Sequence, residues 1–494
     1  MRPQGMQRFW IIGFMAAAVF TALLLAKMDA LQGFLGATRS LADLKVQRVA
    51  ARDSWMSIFH NQRRIGYAHR RLNPGAAGYE LKEKILMRIN TMGMVQDISM
   101  RTRADLHADF SLDRFDFDIR SGVFQFHAQG TAAGDVLRIH TVTAGHRRSF
   151  DVPLKKKVYL TAALLDRLQG EPLTPGDRYT FEIFDPASMA QASVTAEVVG
   201  REQLQLAGAS VPATRISMGL RGMTQTAWIA VNGELLRERG LLGMRLEKTT
   251  PEEALSDLGA ATADLTEAAA VTPSRPVLDP QDLDVLRVRI GGTHADRLPV
   301  KGGRQSFADG ILTVRRENLA DLPPMPRPEE LQPLEQAFLK PEALIQSDHE
   351  RIRSLVRSVL GDPPPSAPLD QARQLMDWIG RHIEKRPVLS MPDALSTLEN
   401  RMGDCNEHAM LFAAMARSAG IPARVEAGLV YMRGKFYYHA WNLLFLGQWV
   451  TADALFGQLP ADVTHLRLVT GSMHQQVDLA GVIGNLTIEI LDGP

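Results

Sequence analysis

One cysteine occurs in the 494 residues, and the chain around it carries the signals of a helix start. Asp404 is a good N-cap and Glu407 stands three residues on, so Asp404-Cys405-Asn406-Glu407 has the form of a capping box. Cys405 then falls in the first turn, where unpaired amides and the positive end of the helix dipole favour a thiolate. Gly420 and Pro422 close the helix. A sulfur nucleophile needs a base, and the base needs an acid to orient it. Phe436 to Gln458 supplies both, in two aromatic and β-branched runs that meet at Leu446-Gly447-Gln448. A hairpin centred on Leu446 sets His439 opposite Asp453 on one face, with Trp441 beside them to exclude water.

Taken alone, a free cysteine is more often a small buried hydrophobe than a nucleophile; the two placed partners favour the nucleophile. His408 is a rival base three residues along the helix, but it lacks a paired acid and reads as structural or as a helper. His465 reads as a packed or capping histidine, and Trp378 as a core residue. The oxyanion hole is expected to use the Cys405 N–H with one further donor that the sequence does not name.

Set in GDCNEHA, YYHAW and WVTAD, the order Cys405, His439, Asp453 resembles the transglutaminase-like superfamily over roughly Leu344 to Gly471. The resemblance implies a papain-like core and a thioester intermediate. Cys405 would attack an amide carbonyl, His439 would shuttle the proton and Asp453 would orient His439. The family usually continues Asp-Pro-Thr after the acid, whereas this chain has Asp453-Ala454-Leu455, so the loop behind the acid departs from the pattern.

The rest of the chain must hold these groups in place. A length of 494 residues with 45% hydrophobic and 22% charged residues fits two or three folded domains. The formal charge of +1 gives no drive towards nucleic acid, which is not expected as a partner. One cysteine allows no intrachain disulfide, and no spacing matches an EF-hand or a Cys-rich metal site, so neither cofactor nor metal is expected.

Residues 1–30 read as a membrane anchor or signal segment: Phe9 to Ala26 is an uncharged apolar run between Arg8 and Lys27. Arg2 and Arg8 favour a cytoplasmic N-terminus, and the absence of a clean small-x-small site favours an uncleaved anchor. The expectation is a single-pass inner-membrane protein with its bulk periplasmic. Residues 31–53 read as a helical juxtamembrane segment. Residues 54–250 alternate in short runs punctuated by Asn-Pro-Gly, Ser-Gly and Asn232-Gly233, the mark of an antiparallel β domain curled into a barrel, half-barrel or sandwich. Leu160 to Leu168 is a helix across its mouth. Ile65-Gly66-Tyr67 and Trp228 to Leu235 give this region a likeness to bacterial envelope half-barrels of the lipoprotein-carrier type. A lipid, a peptide or an envelope partner is a possible occupant, although a positioning role is favoured. The basic stretch His60 to Arg71 and Lys155 to Lys157 read as solvated strand faces.

Residues 251–340 read as a linker with a small β subdomain, Leu283 to Ile290 and Ile311 to Arg316, ending in the proline-rich connector Leu322 to Pro328. Residues 341–494 form the catalytic domain that the resemblance implies, opened by two amphipathic helices and closed by a strand over Val482 to Leu491. The fold class is α+β. The function expected is amide acyl transfer on a protein or peptide substrate, with hydrolysis favoured over transamidation. A non-catalytic assembly module is the alternative of another class.

Overall fold

The computed structural model describes residues 38–40 and 48–492, apart from 61, 92–93, 123, 144–145, 169–172, 188, 221–222, 241–242, 259–263, 293–299, 389–391 and 471–485. The apolar run Phe9 to Ala26 lies outside the described residues, and no helix among them is long and apolar enough to cross a membrane.

Period-two alternation builds one large sheet of 16 strands among the described residues, antiparallel along nearly its whole order. In Arg178–Asp185 and Ala190–Leu206 the buried residues fall on alternate positions, which puts one face of the sheet inward. The sheet curls so that Leu81, Phe115, Phe126 and Leu137 from one half meet Tyr179, Phe181, Val194 and Ile216 from the other in one core. The helix Leu164–Leu168 is buried throughout and fills this core; it does not merely cross its mouth. Within the stretch expected to be helical, Thr38–Ser40 is instead a strand, paired in parallel with Arg178–Thr180. It satisfies the edge that Arg178–Asp185 would otherwise expose, and this long-range gain overrides local helix preference.

The segment expected as a linker is partly docked. Thr250 caps Pro251–Leu255 through the Glu253 N–H, and Val271 exchanges two backbone hydrogen bonds with Phe436 of the histidine strand. The small subdomain is a four-stranded antiparallel sheet whose last strand, Leu486–Asp492, comes from the chain's end. That closing strand therefore completes the subdomain and not the catalytic sheet.

The C-terminal domain packs the helices Glu350–Leu360, Pro368–His382 and Cys405–Ser418 on a second four-stranded antiparallel sheet. Its strand order is Trp449–Ala452, Lys435–Phe445, Ala423–Met432, Leu466–Thr470. The Cys405–Ser418 helix is buried from Glu407 to Arg417 and is the centre of this core. Contacts with the large sheet include Leu344, which packs against the cores of both, the Gln96 Nε2 bond to the Pro387 carbonyl at 2.8 Å, and the Arg148–Asp348 pair at 3.1 Å.

Candidate active site

The helix starts where the sequence places it. Asp404 accepts from the Asn406 N–H at 2.9 Å, and Glu407 reaches back to the Asp404 N–H at 3.0 Å, completing the capping box. Such a cap is worth about 1 kcal/mol. Gly403 makes room for it, since a Cβ there would lie 2.3 Å from the Glu407 Cβ. Cys405 thus begins the helix, partly buried and packed against the domain core.

The hairpin is displaced from the expected centre. Phe445 pairs with Trp449 and Asn442 with Ala452, so the turn centres on Gly447, at φ +94°, and the residue in line with Asp453 is Trp441. The reason is the turn itself: Leu446 N–H donates to the Gln448 carbonyl across a glycine in the left-handed region. His439 still meets Asp453, as a diagonal neighbour on the same face: its Nε2 lies 2.6 Å from Asp453 Oδ2. Both are buried, with Asp453 1% and His439 4% exposed. Phe456 stacks on the His439 ring at 4.7 Å and 14°, and Trp441 flanks it at 6.1 Å.

The loop after the acid is orderly despite its departure from Asp-Pro-Thr. Asp453 and Gln458 exchange two backbone hydrogen bonds, and Asp453 Oδ1 accepts from the Phe456 N–H at 2.9 Å. That bond fixes one carboxylate oxygen and leaves Oδ2 for the imidazole.

Cys405 lies against the histidine strand, its sulfur facing the Ala440 N–H. The expected low thiol pKa does not survive tertiary packing. Burial first, then the Asp404 carboxylate, pushes the Cys405 thiol well above its ordinary range, and the Ala440 N–H only partly opposes this. Asp453 engages the His439 Nε2, so Nδ1 is the ring nitrogen that the carboxylate does not hold.

His408 stays apart from that role. Its Nδ1 bonds the Asp404 carbonyl at 2.8 Å, and burial lowers its basicity. Trp378 is half-buried, stacked on His382 and under the Arg401 guanidinium, away from this cluster.

His465, expected as a packed or capping residue, is fully buried against the same carboxylate that His439 meets: its Nε2 lies 3.0 Å from Asp453 Oδ2, and its Nδ1 lies 3.2 Å from Asp462 Oδ1. Arg304 is the other group that sequence reasoning missed. From the small subdomain it donates to the carbonyls of Ala461, Asp462 and His465 and pairs with Glu317 at 3.1 Å. The Asp462-Val463-Thr464-His465 spacing was the available signal for the histidine loop; nothing local marked Arg304.

Asp453 titrates well below the ordinary carboxylate range. Burial opposes this, but the His439 charge and the hydrogen bonds from His439 and His465 outweigh it. Asp462 is lowered too, burial being outweighed by His465 and Thr464. For His465, burial alone would lower the pKa, whereas the bonds to Asp453 and Asp462 raise it above the ordinary histidine value. The linkage has two signs. The carboxylates contribute stability above about pH 4, lost as pH falls through their folded values, and His465 contributes stability below about pH 6.5, lost as pH rises through its folded value. Thermal melts across pH are therefore expected to show their highest midpoint between these limits, with a decline on both sides.

His439, Asp453 and His465 also bring donor atoms suited to zinc within 4.8 Å of one another. Both Nε2 atoms face the same Asp453 oxygen, which can only accept, so each carries a proton there and has no lone pair to offer a metal. The arrangement fits proton handling.

Residues 353–454 match the model of the transglutaminase-like superfamily. This part of the chain is transglutaminase-like. No curated protein matches the chain. Among solved structures, a β-barrel-like protein of unknown function from Brucella abortus superposes with a TM-score of 0.34 at 10% identity, covering 41% of this chain and 98% of that one. A protein described as a candidate cysteine protease from Cytophaga hutchinsonii gives 0.28 at 19% identity, covering 46% and 78%. The periplasmic domain of TgpA from Pseudomonas aeruginosa gives 0.22 at 17%, covering 38% and 67%. In the transglutaminase-like region the three motif residues all lie within or just before the matched core's end, Cys405 on its helix, His439 and Asp453 on its hairpin.

Proposed function

We propose that the chain is a cysteine enzyme that transfers an amide acyl group through a Cys405 thioester, with Cys405 as nucleophile, His439 as base and acid, and Asp453 as the group that orients His439. The observation that carries this is the buried His439–Asp453 pair at 2.6 Å, with His439 on the strand whose Ala440 N–H faces the cysteine. Asp453 holds Nε2 and so fixes the tautomer, which leaves Nδ1 to take the thiol proton. The sulfur then adds to the amide carbonyl. The oxyanion is received by the Cys405 N–H, since Asp404 already engages the next amides of the first turn. Collapse breaks the C–N bond, and His439 returns its proton to the departing amine. Water, activated by the same histidine, attacks the thioester and releases a carboxylic acid and the thiol.

Hydrolysis of a protein or peptide amide is the favoured outcome, because an amine acceptor would require a second recognised surface; protein-glutamine transamidation is the alternative within the class. We place the enzyme at the inner membrane, anchored by Phe9 to Ala26 with its bulk in the periplasm, on the apolar run and the basic residues before it. The curled sheet is then a positioning domain or a holder of a lipid, peptide or envelope partner.

Alkylation by iodoacetamide tests the core of the proposal. The rate at pH 7 is expected to fall about 100-fold or more in His439→Ala, the usual scale of a lost general base. Equal rates in the two proteins, or a wild-type thiol that is inert, would favour a non-catalytic assembly module. Mass analysis of an acyl adduct on Cys405 after incubation with peptide amides identifies the substrate class, and incorporation of a fluorescent amine would select transamidation.

A further inference from the structure

Asp453 Oδ2 receives two imidazoles, and the proposed triad uses only one of them. The second, His465, has 0% of its surface exposed and points one ring nitrogen at each of two carboxylates, Nε2 at Asp453 and Nδ1 at Asp462. Ionised carboxylate oxygens only accept hydrogen bonds. Asp462 Oδ1 is committed as an acceptor, because the Thr464 N–H at 2.8 Å and the Thr464 hydroxyl at 2.6 Å both donate to it. Asp453 Oδ1 likewise accepts the Phe456 N–H. Both nitrogens of His465 must therefore carry protons.

We infer that His465 is a positioning residue of the proposed reaction: a buried imidazolium, clamped between Asp453 and Asp462, that holds the Asp453 carboxylate against His439 and offsets its charge. The inference rests on the triad proposed above and extends it to a chain running Asp462, His465, Asp453, His439, Cys405. It has a direct consequence for the base. His439 lies 5.7 Å from His465, ring centre to ring centre, edge to face. With the His465 cation on the same carboxylate oxygen, the Asp453 charge that acts on His439 is partly offset, and removing that cation leaves the full charge on His439.

The other charged groups around the clamp leave this sign unchanged. Arg304, which donates to the His465 and Asp462 carbonyls, is paired with Glu317. His408 and Cys405 face Asp453 from the nucleophile helix, the first held neutral by burial and the second a thiol at rest. Asp404 and Glu407 are committed to the capping box. Trp441 and Phe456 wall the cluster with aromatic surface, at 5.2 and 6.1 Å from His465.

The test is the pH dependence of Cys405 alkylation by iodoacetamide in the wild type and in His465→Gln, a variant that keeps an N–H donor and loses the charge. The acid limb of the rate is expected to move up by about one pH unit in the variant, as loss of one nearby charge in a buried site predicts. A merely structural histidine would alter the melting temperature and leave the limb in place, so an unmoved limb in a folded variant overturns the inference. If the variant does not fold, His439→Ala labelled with nitrogen-15 histidine decides. One ring doubly protonated at pH 8 supports the clamp, and none overturns it. An inert wild-type thiol would instead overturn the triad, so the two failures are distinguishable.

Discussion

Asp453→Asn is expected to lower kcat/KM for the peptide amide that acylates Cys405 by about 10³- to 10⁴-fold, the scale of losing the orienting acid of a nucleophile–histidine–acid triad. The asparagine side chain can offer an N–H where the carboxylate offered only lone pairs. His439 Nε2, at 2.6 Å from Oδ2, would then have to accept, and its proton would move to Nδ1, the nitrogen that must take the thiol proton. Because Cys405 is held as a thiol by burial and by Asp404, there is no standing thiolate to carry residual reactivity. The same variant is expected to slow alkylation by iodoacetamide, which needs no substrate recognition. A full alkylation rate alongside lost turnover would assign Asp453 to substrate binding instead. Circular dichroism and a cooperative melt establish that the variant is folded before either rate is compared.

Arg304→Met is expected to destabilise the fold by about 3–5 kcal/mol, the range for breaking a buried ion pair by removing one partner. Its guanidinium, 6% exposed, faces Glu317, 8% exposed, and three backbone carbonyls of the loop that carries His465. Glu317 in turn accepts from both the N–H and the hydroxyl of Thr451, at 2.8 and 2.7 Å, on the strand just before Asp453. Methionine fills much of the volume but leaves the Glu317 carboxylate without its cation and removes the guanidinium donors to the three carbonyls. The apparent melting temperature of the C-terminal domain should drop by about 10 °C. Gln305, next along the chain, exchanges hydrogen bonds with the Arg467 backbone at 2.6 and 3.1 Å, so the small sheet grips the site at two adjacent residues. A shift below about 2 °C would show that the subdomain is a spacer and not a brace.

These two expectations rest on features of different legibility. The nucleophile helix was readable from the sequence because its signals act within four residues: Asp404 and Glu407 satisfy amides one turn away, and Gly420 and Pro422 stop the repeat. The alternating strands were readable for the same reason, since burial of one face imposes a period of two on the chain itself. That His439 and Asp453 share a face also followed from pattern, although the turn's centre at Gly447 did not, because a one-residue change in a hairpin's centre depends on which residue takes the left-handed conformation.

Only the folded molecule decided what covers the sulfur, what else touches the acid and what braces the loop. The Cys405 pKa turned on burial, which has no local signature, and a first-turn position alone pointed the wrong way. His465 joins Asp453 across 12 residues and Arg304 joins His465 across 161, through contacts that no periodicity encodes. Short-range hydrogen bonds and the faces of helices and strands are fixed by neighbouring residues; desolvation and the meeting of distant charges are fixed by how those faces pack.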